Sequence, residues 1–176
     1  MQLRRVPIML SFVLTMLILF GGWYLYQQLE VKEPLKKEVQ QMTSAMLGDL
    51  VVSNKQVDIK LKVTNPELFP QEYQKLLKTI EERTQNKQLD IEIMNQDEQL
   101  KNIWANGQFA VNEAMELHQY SRIPQLLHVW KQTYKLDVAD AKMDDTHIYV
   151  YLKSGNKDFY TMMPRTATNG EVTLRV

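Results

Sequence analysis

The chain of 176 residues has no cysteine. A catalytic thiol and an N-terminal lipidated cysteine are excluded outright, while the redox compartment stays open, because a cysteine-free domain suits an oxidising space and the cytosol alike. Glycine is scarce, with six residues, and none form a G-x-G-x-x-G or Walker pattern, so no phosphate-cradling loop is present. No G-x-S-x-G elbow surrounds Ser11, Ser44, Ser53, Ser121 or Ser154. The three histidines are His118, His128 and His147, and none stand at the i, i+4 spacing of a helical metal site. Each reads as a surface or boundary residue. No Asn-x-Ser/Thr sequon occurs. The expectation is a chain with no catalytic, cofactor-binding or metal-binding set.

Charge of one sign is also missing. Lysine and arginine number 21, aspartate and glutamate 21, and without Arg4 and Arg5 the balance is 19 to 21. A slightly acidic domain has no electrostatic footprint for nucleic acid, nor a polybasic patch for anionic lipid.

What is present is one long apolar run. Residues 6–26 carry no charge, and about 20 apolar residues of helix cross a bilayer's hydrocarbon core. The run is longer than the apolar core of a signal peptide, and bulky Trp23, Tyr24 and Tyr26, not an Ala-x-Ala pattern, follow Gly21 and Gly22. Those aromatics suit a membrane–water interface. Residues 6–26 therefore read as an uncleaved anchor contacting lipid, with residues 1–5 as a short cytoplasmic tail. Arg4 and Arg5 before the span nearly balance Lys32, Lys36 and Lys37 after it. The long C-terminal part translocates largely regardless of its charge, so the expected topology is N-terminus inside, domain outside.

Beyond the anchor, residues 27–48 read as a juxtamembrane amphipathic helix. Leu35, Val39, Met42 and Met46 form its stripe, Pro34 opens it and Gly48 stops it. It either packs on its own domain or forms a short coiled-coil stalk. Residues 49–176 read as an extracytoplasmic α+β domain, one body or two lobes, 49–96 and 97–176. Val57 to Val63 and Leu89 to Ile93 alternate as half-buried strands around a helix over Pro70 to Gln85, a βαβ unit. Asp97 caps a helix through Leu117, with Gly107 weakening its middle, and a second helix covers Ile123 to Lys135. A meander follows: Leu136 to Met143, a turn at Asp144-Asp145, His147 to Lys153, a Gly155-Asn156 hairpin, and Phe159 to Met163. After Asn169-Gly170, Val172, Leu174 and Val176 suit a final edge strand.

Asp137, Asp140, Asp144 and Asp145 are the densest acidic group; they lack the spacing of a calcium loop and read as turn residues bonding their own backbone. Tyr149, Tyr151, Phe159 and Tyr160 concentrate on one hairpin. If one face of that sheet stays uncovered, they are candidate partner-binding residues; otherwise they are cross-strand pairs.

A small α+β domain on one anchor is similar in plan to ring- and platform-forming components of bacterial secretion and sporulation machines, an analogy of plan that no motif carries. The expected function is a non-enzymatic interaction, assembly or scaffold module of the cell envelope that binds a protein partner or its own copies. A tethered sensor or regulator is the alternative, and an anchored hydrolase lacks its constellation.

Overall fold

The computed structural model describes residues 5–26, 29, 32–53, 55–84, 87–165 and 172–175, with the backbone alone for 5–8 and 172–175. The first element is α1 (Arg5–Tyr26), whose stretch Met9–Tyr26 has a mean hydropathy of 1.7 and no residue buried against the rest of the chain. It is long and apolar enough to cross a membrane, as an anchor or as a signal sequence. Trp23, Tyr24 and Tyr26 are exposed at its end, whereas Arg4 lies outside the described residues.

Next come α2 (Glu33–Gln41), β1 (Ala45–Val52), β2 (Gln56–Val63), α3 (Phe69–Thr84) and β3 (Gln88–Ile93). Val57, Ile59, Leu61 and Val63 alternate into the core, as the period of two requires. Tyr73, Leu76 and Ile80 of α3 are buried at helical spacing. β2 and β3 are parallel neighbours, with Ile59 opposite Ile91, so the βαβ unit forms as its pattern dictates.

The 27–48 helix does not form as expected. Within that range the helical residues of α2 end at Gln41, and Met42 turns extended, with φ −63° and ψ 134°. Residues 45–52 become a strand, β1, antiparallel to β2 with Ala45 opposite Val63. Gly48 stops no helix; it sits at the register shift between Leu47 and Asp49. The turn is held from afar: the Glu72 carboxylate of α3 accepts hydrogen bonds from Thr43 and Ser44 main-chain and hydroxyl groups, 2.5 to 3.3 Å long. Leu35 and Val39 are fully buried in the core beside β1, β2 and α3 and Met42 packs partly against it, so this part of the stripe faces its own domain, whereas Met46 lies on β1 and is 62 % exposed.

The second half holds α4 (Glu98–Glu116), α5 (Arg122–Tyr134), β4 (Val138–Met143), β5 (His147–Ser154) and β6 (Lys157–Pro164), the last three an antiparallel meander in the order β4-β5-β6. Asp97 caps α4, its carboxylate accepting from the Gln99 and Leu100 amides. Gly107 lies inside α4 where a Cβ would overlap the Trp130 ring of α5. Leu117, placed on the apolar face of α4 by periodicity, lies past its end and is exposed. Gly155 takes φ +61° in the β5–β6 hairpin, a conformation that suits glycine. The final strand, β7 (Val172–Arg175), joins the first sheet, not the meander, and lies parallel to β3 in the order β1-β2-β3-β7. Val176 and the Asn169-Gly170 turn lie outside the described residues.

Two hydrophobic clusters result. One face of β4–β6 presents Ile148, Val150, Leu152 and Phe159 to Leu100, Trp104, Ile123 and Leu127 of α4 and α5. The opposite face gives Tyr149, Tyr160 and Met162 to the cluster of α2, α3 and the first sheet. The clusters thus do not divide at Gln96. Asn95, 2 % exposed, ties the sheets: its side chain accepts from the Val63 amide (2.7 Å) and donates to the Val63 carbonyl (2.9 Å) and Asp158 (2.6 Å), while its carbonyl accepts from the Tyr160 amide.

Candidate functional site

Alternation along β5 puts His147, Tyr149 and Tyr151 on one face. Tyr160 of β6 lies opposite Tyr151 and shares it, while its neighbour Phe159 points to the other face. Phe159 is fully buried there, 6.1 Å from the Trp104 ring. The face that carries the tyrosines is not left open. Phe69 of α3 meets Tyr160 at 5.2 Å and Tyr149 at 6.3 Å, both edge-on, and Tyr73 meets Tyr149 at 6.2 Å. Tyr149, Phe159 and Tyr160 are therefore core residues, 2 %, 0 % and 1 % exposed, and cannot be the exposed partner-binding face expected of them. Their hairpin is covered on both sides, by α3 on one and by α4 and α5 on the other, which leaves Tyr151 as the half-buried member.

The covered end of this face is locked by Asp144. Its carboxylate accepts five hydrogen bonds: from the Thr146 amide and hydroxyl, the His147 amide, the Tyr149 hydroxyl at 2.6 Å and the Gln74 side chain at 2.9 Å. Arg165 donates to the Asp144 carbonyl at 2.7 Å and lies over the Tyr120 ring. Burial pushes the Asp144 carboxyl up, but the bonds from Tyr149, His147 and Thr146 outweigh it and hold it below its ordinary value. With both oxygens engaged, Asp144 is a structural knot, not a free base. Asp137 likewise bonds backbone, accepting from the Gly155 amide at 2.5 Å. His147 stands at the boundary of β5 as its first residue and is buried there, not on the surface, because the Tyr73 ring packs edge-on against it at 5.6 Å. His118 and His128 are exposed. Among the described residues, no three His, Asp or Glu side chains group to hold a metal.

The uncovered end of the same face is a cleft. Its cavity of about 170 Å³ has Tyr149, Tyr151 and Tyr160 among its walls, with Pro66 and Val138 as aliphatic lining. Asp140 and Lys142 enter from β4, opposite Tyr151 and Tyr149 in register, and Glu67 enters from the β2–α3 loop. That loop is shaped by Asn65, whose side chain accepts from the Glu67 amide and whose carbonyl accepts from the Phe69 amide. Lys142 and Glu67 form an ion pair across the cleft. Asp140 has no hydrogen-bond or ion-pair partner among the described residues. The Tyr160 hydroxyl is buried and also unpartnered among them. Burial first, and then the Asp144 charge, raise the pKa of Tyr160, so the hydroxyl stays protonated and able to donate. Burial and the Asp158 charge raise that of Tyr151.

Sequence reasoning reached Tyr149 and Tyr151 through strand alternation and Tyr160 as a residue across the hairpin. It placed Asp140 on a solvated strand edge, and Asp140 is exposed on the edge strand β4; it missed Glu67, Pro66, Val138 and Lys142. Lys142 and Val138 share the period of Asp140, a signal available in the strand pattern; Glu67 and Pro66 arrive through tertiary packing. A second, more open concavity of about 560 Å³ lies between α2 and β1, with Lys32, Lys36 and Met46 on its lining. No family model, no curated protein and no solved structure matches this chain.

Proposed function

We propose that this chain is a membrane-anchored interaction module of the cell envelope. In this reading α1 is an uncleaved anchor, residues 1–5 stay in the cytoplasm, and the α+β domain recognises a partner outside without catalysing a reaction. The observation that carries it is the bare apolar surface of α1: from Met9 to Tyr26 no residue is buried by the rest of the chain. Apolar area of that extent needs hydrocarbon or another protein to leave water. Trp23, Tyr24 and Tyr26 at its end fit the interfacial zone. We assign recognition to the domain, and the cleft beside Tyr151 is the site we assign to it.

The absence of cysteine makes the test clean. A Ser154→Cys variant carries a single thiol. We expect the protein to resist alkaline extraction from membranes, to keep its full mass, and to react with an impermeant maleimide in intact cells. Release by alkali, loss of residues 1–26, or protection of the thiol each overturn a stated part of the reading.

A sensor or regulator is the second reading, favoured by the size of the cleft, which suits one small group more than a broad protein surface. Light scattering on the detergent-solubilised full chain separates the two. A concentration-dependent oligomer supports assembly, and a strict monomer supports sensing.

A further inference from the structure

We propose that the cleft beside Tyr151 binds a small organic cation, an alkylammonium or guanidinium group, against the Tyr151 ring and with Asp140 as its counter-ion. The inference rests on the assignment of this cleft as the recognition site and adds the chemistry of what it takes.

Three features of the cleft converge on a cation. The first is its walls. Tyr149, Tyr151 and Tyr160 lie on one sheet face, with the Tyr160 ring 6.5 Å from Tyr149 and 6.1 Å from Tyr151, inclined at 50° and 46°. Tyr149 and Tyr160 line the cleft but are 2 % and 1 % exposed, so the half-buried Tyr151 is the ring with surface left for a ligand, and an aromatic ring face attracts a cation. The second is charge. The lining holds Glu67, Asp140 and Lys142, two acids and one base, a net charge of −1. Lys142 is already matched by Glu67, so the uncompensated charge is that of Asp140. Asp140 is exposed on the edge strand β4, so water solvates it when the cleft is empty; an anion would have to displace Glu67 from Lys142 and would meet Asp140, whereas a cation gains from its charge. The third is size and polarity. A volume of about 170 Å³ is below the roughly 300–1,000 Å³ of sites for drug-sized ligands. It matches one charged head with a short alkyl arm, for which Pro66 and Val138 supply apolar contact.

Neither Asp140 nor Tyr151 belongs to the Asp144 knot or to the Asn95 tie, so both can be altered without removing either. The test uses the full chain in non-ionic detergent micelles. Choline and N-ethylguanidinium are the cationic probes. The neutral control is the carbon isostere of choline, in which a tert-butyl group replaces the trimethylammonium. Binding is read by calorimetry and by the ring resonances of Tyr151. Saturable binding of either cation is expected, and the tighter of the two identifies the head group. The neutral isostere, Asp140→Asn and Tyr151→Leu should each weaken binding by about tenfold, the loss of one charge or one ring face. Equal affinity for choline and its isostere overturns the proposal, as does unchanged cation affinity in both variants, or no saturable binding of either cation. Thermal unfolding of each variant shows that it is folded. Alkaline extraction of the same preparations separates the two ideas: a protein that stays in the membrane yet binds no cation overturns this inference alone.

Discussion

Glu72 illustrates how far single side chains set this fold. Burial opposes its charge, yet the hydrogen bonds from Ser44 and Thr43 outweigh burial and lower its pKa from 4.5 to about 2. A carboxylate whose folded pKa is depressed lends stability that is fully present above its unfolded pKa and is lost as pH falls through the folded one. Glu72→Gln should therefore cost about 1–3 kcal/mol at neutral pH, the worth of hydrogen bonds to a charged group, and should flatten the loss of stability between pH 4.5 and about 2. Urea midpoints across that range check both. His147 acts in a different window. Burial lowers its pKa below 6.5, against the pull of the Asp144 charge, so the unfolded chain takes the proton first and stability falls as pH drops below about 6.5. His147→Gln should remove that step and leave the Glu72 step in place. At Asn95 the effect is independent of pH. Asn95→Ala leaves the Val63 amide and carbonyl without their side-chain partner and should cost about 1–3 kcal/mol, read as a lower urea midpoint.

Among the elements, β1 and α4 show opposite kinds of legibility. The alternation of β2 could be read directly from Val57 to Val63, whereas β1 hides its own. Ala45 and Leu47 point inward before the bulge at Gly48, and Leu50 and Val52 after it, so the inward period runs two, three, two. A bulge resets the phase, and a string that fits no period of two resembled the tail of a helix. α4 was legible from its cap to its apolar face, but the role of Gly107 was not. In sequence it is a weak point; in the fold it is where Trp130 lies against the helix. Gly107→Ala gains helix propensity of about 1 kcal/mol but drives a methyl into the Trp130 ring, and overpacking of this kind costs about 1–3 kcal/mol. The net expectation is a lower melting temperature and a changed near-ultraviolet signal from Trp104 and Trp130, whose rings stand 6.2 Å apart.

For the whole molecule, the question is how α1 and the domain divide the work. An arginine at the centre of a spanning helix costs about 2.5–3.5 kcal/mol of insertion free energy. Leu17→Arg, near the middle of α1, should therefore lower the alkali-resistant membrane fraction while leaving the circular dichroism of the domain unchanged. The domain's own integrity depends on α3, which contributes Leu76 and Ile80 to the cluster of the first sheet and sets Phe69 and Tyr73 against the tyrosine face of the second. Phe69→Ala should loosen both halves together, at about 3–5 kcal/mol for a fully buried ring. One cooperative transition shifted as a unit is the expected denaturation curve.

Periodicity and composition were enough to determine the apolar helix, the βαβ unit, the capped α4 and the antiparallel meander, because each is written in contacts between residues close along the chain. They also placed Tyr149 and Tyr151 on one strand face. Only the tertiary structure decided what covers that face. The answer depends on Phe69 and Tyr73, some 70 to 90 positions earlier in the chain, and on a loop that brings Pro66 and Glu67 to the rim. Burial of Tyr149 and Tyr160, and the cleft left at Tyr151, follow from packing between distant segments, which no local pattern encodes.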